Sequence, residues 1–258
     1  MTRRLAMLWL VAIIGIALLA PLLTTHPPDQ SLFEPLTPPG KGLPLGADAL
    51  GRDFLARMMY GARLSLLLTG LAVAVTLILG GLIGFSAAIV GGRYETAVNW
   101  LSNVLLAIPG LLLAMLFVAA WGPGIGAVIL AVGIGFAPSF GRVTRTIVNK
   151  LLGEGYVMAA QASGGNSLWI TSRHLLPNSL PQLTSFAGTY FAWTFLAVTT
   201  LTFLGLAGDP SIPEWGALLN SSRSHLQSAP WLAAAPALAI SLTVLAVHAI
   251  AGKEPFGA

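Results

Sequence analysis

Of the 258 residues, 55% are hydrophobic and only 9% are charged, with a formal net charge of +4; soluble domains run near a quarter charged. A fully solvated globule of this composition is excluded, because it would expose large apolar patches. With so few charges, the basic excess reads as residues that orient membrane spans rather than as a face for nucleic acid. The absence of cysteine excludes disulfides, thiol catalysis and Cys-ligated metal.

Four blocks, Leu64–Gly92, Thr96–Gly141, Leu175–Ala207 and Ser224–Gly252, contain no Asp, Glu, Lys or Arg. Each matches or exceeds the ~20 apolar residues that cross a bilayer. The expected fold is therefore an all-α polytopic membrane protein with about six spans. In chain order these are Leu5–Leu23, Leu64–Val90, Val98–Ala120, Gly124–Gly141, Leu180–Leu204 and Trp231–Ile250. The first apolar run is longer than the ~7–15 residues of a signal-peptide core, so it is read as an uncleaved span. Arg3, Arg4, Arg93, Arg142, Arg145, Lys150, Arg173 and Lys253 fall on one side. Lys41, Arg52, Arg57, Arg63 and Arg223 fall on the other, so both termini are expected in the cytoplasm.

Between the first two spans, residues 26–45 are Pro-rich and expected to lie extended over the outer surface. Asp48–Ala62 then reads as an amphipathic helix capped by Asp48. Leu50, Phe54, Leu55, Met58, Met59 and Ala62 form its apolar face, and Arg52, Asp53 and Arg57 its outward face. Gly80-Gly81, Gly84, Pro109-Gly110, Gly133, Gly135, Pro138 and Pro236 punctuate the spans, either for close helix packing or as hinges.

The segment between the fourth and fifth spans is too ordered to be a tether. Thr144–Ser163 is expected to be helical and to end at Gly164-Gly165. Asn166 or Ser167 caps a second helix, Leu168–Leu176, with Arg173 and His174 in its last turn and Pro177 stopping it. Ala159, Ala160, Ala162 and Ser163 form a shallow ridge, and Tyr156 supplies an aromatic anchor. Periodicity alone leaves two readings open: a docking surface for another protein, or a helix pair on the inner leaflet. The last long connection, Leu206–Pro230, is long enough to form a lid.

No G-x-x-x-x-G-K-[ST] loop occurs, so the chain is not expected to bind ATP. No Gly-x-Ser-x-Gly elbow or His-Glu-x-x-His helix points to an enzyme. The alternative is an ion-coupled secondary transporter or channel working without ATPase subunits. His248, near the inner end of the sixth span, is its one clear ionisable candidate.

Three stretches carry a family resemblance. Met158-Ala159-Ala160, Gly164 and Leu176-Pro177 resemble the "EAA" loop of permease subunits of binding-protein-dependent ABC importers. Pro44–Asp53 with Tyr60–Leu66, and Leu201–Leu206 with Pro213-Glu214-Trp215-Gly216, are similar to flanking signatures of the peptide/nickel type, closest to the dipeptide or oligopeptide "C" permease. Met158 stands where the loop motif has Glu, and Val198 stands where many members carry an acid. Ala47 replaces a usual Thr, and the tail after Ile250 is atypical.

The resemblance implies a type I (MetI-like) bundle in a bacterial or archaeal inner membrane. Its parts would be an N-terminal span with external segment (1–63), a five-helix core (64–251) holding the coupling loop 142–177, and a cytoplasmic tail (252–258). It also implies a second permease, an external solute-binding protein, and two cytoplasmic ATPases that carry the ATP and Mg. Tyr156, Val157, Met158, Ala159, Ala160, Ala162, Gly164, Gly165, Leu176 and Pro177 would then meet the ATPase. Asp48, Gly51, Arg52, Asp53, Arg57, Pro213 and Trp215 would meet the binding protein.

Overall fold

The computed structural model describes residues 1–40, 42–209 and 211–251. The expected tail 252–258, with Lys253, and the external Lys41 lie outside the described residues. Among the described residues, ten α-helices are joined by a π-turn and a 3-10 turn: α1 Arg3–Leu23, α2 Phe54–Val90, α3 Gly92–Ala107, α4 Gly110–Trp121, α5 Ile125–Leu152, α6 Gly155–Ala162, α7 Ser167–Ile170, α8 Leu176–Phe203, α9 Trp215–Ser221 and α10 Trp231–Ala251. Among the described residues, β-pairing is limited to isolated bridges such as Ser31 with Arg52.

Five helical stretches are long and apolar enough to cross a membrane: α1, α2, α5, Ser167–Phe203 and α10. The third expected span, Val98–Ala120, is not one rod. It divides into α3 and α4, which meet at a 92° bend. Pro109 has no N–H to give the helix and forces Ile108 into an extended conformation (φ −85°, ψ 128°). Counted as one broken span, the pair brings the total to six.

The α2–α5 pair forms the spine, and small residues set its spacing. A Cβ on Gly80 would stand 2.6 Å from the Ala137 carbonyl oxygen, and one on Gly84 2.5 Å from that of Gly141. A Cβ on Gly133 would meet Val75 at 2.6 Å. Thr76 bridges the two helices by donating to the Gly133 carbonyl at 3.1 Å. Helices in lipid gain nothing from burying Leu against Leu, so close backbone approach and such interhelical bonds supply the cohesion. Gly81 and Gly135 have open space around them, so only part of the glycine pattern is packing.

Two expected helices are corrected. Asp48–Ala62 is not a separate surface helix: residues 48–53 form a turn, and α2 runs unbroken from Phe54 to Val90. Gly51 sits at φ +73°, which no helix start tolerates, and Asp53 rather than Asp48 caps α2 through the Leu55 and Ala56 amides. The division expected at residue 63 therefore falls inside a continuous helix. Pro177 does not stop the second loop helix either. The chain stays helical from Ser167 to Phe203 because Thr171–Leu175 widens into a π-turn just ahead of it. A π-turn relieves the clash and lost bond that a proline imposes on the preceding turn. Arg173 and His174 consequently sit inside a continuing helix, not at a terminus with a free dipole.

The bundle has two contrasting ends. At one, residues 24–53 and 206–230 fold into a cap over the tops of α2, α8 and α10. At the other, α6 and α7 project between α5 and α8.

Candidate functional site

The α6–α7 segment is held by buried pins. Thr144–Ser163 is two helices, not one: α5 ends at Leu152 and Gly153-Glu154 turn the chain into α6. Val157 is fully buried, and it joins Ile147, Val148 and Leu151 of α5 with Ile170 and Leu175 in one apolar cluster. Gly164 takes φ +83° and ends α6, with the Gly164 and Gly165 amides donating to the Gln161 and Ala160 carbonyls, both at 3.0 Å. Asn166 caps α7 through the Trp169 amide at 2.8 Å.

With that footing, the segment presents an outward face. Tyr156, Met158, Ala159, Ala162 and Gly164 are exposed, as are Leu176 and Pro177, while Ala160 and Gly165 are half-buried. Val157, one of the ten expected contacts, is a pin and not part of the face. Two residues that the sequence reading passed over complete the rim: Leu168 is 82% exposed and Trp169 48% exposed. Their exposure beside the Ala ridge was legible as two large apolar side chains following a polar cap. His174 lies between two rings, 6.0 Å from Tyr156 and 5.0 Å from Trp169, which fixes the rim's aromatic side. The result is a shallow floor of alanine and glycine edged by Tyr156, Met158, Leu168 and Trp169. The floor is shallow enough to admit a helix or ridge closely, and Met158 offers it an adaptable, uncharged edge.

The cap is built on the opposite principle. Asp48, Arg52, Asp53 and Arg57 were expected to face outward; all four are buried, Arg57 to 1% exposure. Asp48 accepts from the Leu50 and Arg52 amides and from Arg52 Nε, the last at 2.8 Å, with Arg57 Nε at 3.4 Å. The Arg57 guanidinium donates to the carbonyls of Pro28 and Ser211, both at 3.1 Å, tying the two cap segments together. His26 Nδ1 lies 2.8 Å from Asp53 Oδ2. Leu50, placed on the apolar face by the sequence, is exposed instead. The buried arginine is tolerated because both terminal nitrogens donate to carbonyls and Asp48 lies beside it, although Nε makes no hydrogen bond.

Trp215 also points inward while Pro213 is half-buried, so residues 211–230 form a wedge more than a loose lid. Trp215 is buried against Gly61, where a Cβ would stand 2.7 Å from its ring, and its Nε1–H donates to the Met58 carbonyl at 3.0 Å. Beside it, Glu214 is 1% exposed. Ser65 Oγ donates to its carboxylate at 2.7 Å, the Ala217 amide donates at 3.1 Å, and the Trp215 amide donates back to Ser65. Burial pushes the Glu214 carboxyl above its ordinary value, against the pull of hydrogen bonds from Thr202, Ser65, Ala217 and Gly216. The expected cap contacts thus brace the fold from inside, and the cap's outer surface is made by their neighbours.

Among the described residues, no group of three His, Asp or Glu side chains is placed to hold a metal ion. His248 lies exposed on α10 and makes no side-chain hydrogen bond among the described residues. Val198 is fully buried in the apolar core between α2, α4, α5 and α8.

The described residues thus form an all-α bundle with several helices long and apolar enough to cross a membrane and an exposed, pinned helix pair between two of them. Residues 80–252 match the family described as binding-protein-dependent transport system inner membrane component. The chain belongs to that family. It is 36% identical over 249 residues to the di/tripeptide transport system permease protein DppC of Pseudomonas aeruginosa, covering 94% of this chain and 82% of the relative. It is 37% identical over 252 residues to the dipeptide transport system permease protein DppC of Alkalihalophilus pseudofirmus (96% and 83% covered). Against the glutathione transport system permease protein GsiD of Pectobacterium atrosepticum, identity is 39% over 206 residues (79% and 68% covered).

Proposed function

We propose that this chain is one of two permeases in an ATP-driven importer of peptides or a similar small solute, both termini lying in the cytoplasm. It forms the substrate path with the second permease. Two ATPases bind the α6–α7 face, and an external binding protein delivers solute at the cap end. Nucleotide binding shifts the bundle between inward- and outward-facing states, a population change driven by differential affinity for the two. ATP and Mg belong to the ATPases, and this chain performs no chemistry. The relatives' named cargoes, di- and tripeptides and glutathione, support a short peptide as substrate.

One observation carries the reading. Val157, Ile170 and Leu175 are buried while Ala159, Met158, Leu168 and Trp169 are held out on a rigid base. Such a face transmits a push; a helix pair lying in the leaflet needs no pins into α5. The test is Ala159→Arg in the assembled complex, scored by solute uptake and by ATPase copurification. The expected result is normal insertion with lost uptake and lost or uncoupled ATPase. Full uptake by that variant would remove the docking assignment.

A further inference from the structure

A second concavity lies away from the α6–α7 face. It is a groove of about 640 Å³ bounded by α1, α2, α8 and α10. Above it, toward the cap, the same helices are sealed by a core containing Ile13, Ala17, Phe54, Phe195 and Trp215. Below that core the four helices part. Leu10, Ile14, Val73, Phe191 and Val247 make its apolar walls, and Thr184 and Ser185 add two hydroxyl-bearing side chains. Arg3 lines its mouth, at the end of the bundle where α1 begins and α10 ends. Arg4 and the N-terminal amine adjoin it in sequence. Gly188 brings α8 against Ala251, where a Cβ would stand 3.0 Å from the Ala251 Cβ, so α10 closes one side of the mouth.

We propose that this groove holds one inner-leaflet anionic phospholipid, its acyl chain along the apolar walls and its phosphate at Arg3 and Arg4. The occupant follows from the charge pattern. The walls offer a chain-length apolar slot, Arg3 is the one charged side chain lining the groove among the described residues, and basic pockets between spans on the cytoplasmic side recruit anionic headgroups. A soluble anion would not fill the walls, and an uncharged lipid would leave the arginines without a partner. The lipid would wedge α1 and α10 against α8, coupling membrane composition to the stability of the first span. The inner-leaflet placement rests on the cytoplasmic orientation of the termini proposed above.

The test uses the full chain with its copurifying partners in nanodiscs, with spin-labelled phosphatidylglycerol and phosphatidylcholine as probes. The motionally restricted fraction should favour phosphatidylglycerol by about fivefold or more. The Arg3→Gln/Arg4→Gln variant should abolish that preference, while Ser185→Phe, which fills the groove, should remove the restricted site for both lipids. Because the chain has no cysteine, a benzophenone on Ser185→Cys can report the occupant, and phospholipid adducts are expected. No headgroup preference, a preference untouched by both variants, or crosslinks to protein in place of lipid would overturn the inference. Orientation is read separately with Thr2→Cys and an impermeant maleimide on intact cells. Labelling from outside overturns the inner-leaflet placement. Protection from it, together with no lipid preference, overturns the lipid site and leaves the topology standing.

Discussion

The two ends of this bundle spend their polar and apolar residues in opposite ways. The cap hides its charges: Asp48, Arg52, Asp53, Arg57 and Glu214 are all buried and bonded to backbone or to one another. The α6–α7 end hides only its aliphatic pins and leaves alanine, glycine and large apolar side chains in the open. The difference teaches where rigidity is needed. The cap adds to its apolar core at Trp215 and Leu218 a set of buried hydrogen bonds that cost heavily if one partner goes missing. The α6–α7 end borrows its rigidity from α5 and α8 and leaves its small-residue face exposed.

The comparison breaks most readily at Trp215. Trp215→Ala empties the wedge between α2 and α8 and should cost about 3–5 kcal/mol, read as a large fall in thermal unfolding temperature in detergent. A variant that unfolds like the parent would mean that the cap is not clamped by its buried core. Next comes Ala159→Arg, which should leave that unfolding temperature unchanged. It should weaken recovery of the ATPase by about tenfold or more, ~1.4 kcal/mol of binding, checked by copurification across a concentration series.

The pH dependence of the cap is a finer test. Folding raises the Glu214 carboxyl above its ordinary value, so between that value and the folded one the folded state holds a proton the unfolded state has released. Glu214's contribution is fully present below the ordinary carboxylate range and falls as pH rises through the window. Glu214→Gln should flatten this slope in unfolding temperature measured from acid to neutral pH, and an unchanged slope would place its cause elsewhere. The smallest effect belongs to His26→Ala. Its contact with Asp53 is partly exposed, so the loss should be at most about 1 kcal/mol, visible as faster proteolysis of residues 24–40 with uptake intact.

Much of the fold was legible because hydropathy is a local property. Span positions follow from runs without charge, and α10 and α1 match their expected bounds to within two residues. The turns of the α6–α7 segment were legible because glycine and asparagine mark them by their own backbone preferences. The errors share one cause. Arg52, Asp53 and Arg57 look like the outer face of a surface helix, since nothing local says that the Pro28 and Ser211 carbonyls will arrive to accept from Arg57, or that His26 will meet Asp53. Pro177 looks like a terminator, since a π-turn is a negotiated geometry and has no residue signature. The Val98–Ala120 span looks like one rod, since its composition does not reveal whether neighbours will straighten or bend it at Pro109.

By itself, then, the sequence determined the number and order of apolar segments, the helix breaks at glycine, and the small-residue stripes along α2 and α5. Those depend on transfer energies and backbone preferences that each residue carries wherever it sits. Only the tertiary structure decided which faces turn inward: the buried charge network, the wedge at Trp215, the exposed rim of Leu168 and Trp169, and the groove beneath α1. Burial is a property of pairs of segments far apart in the chain, and a charge becomes internal only when distant oxygens meet it there.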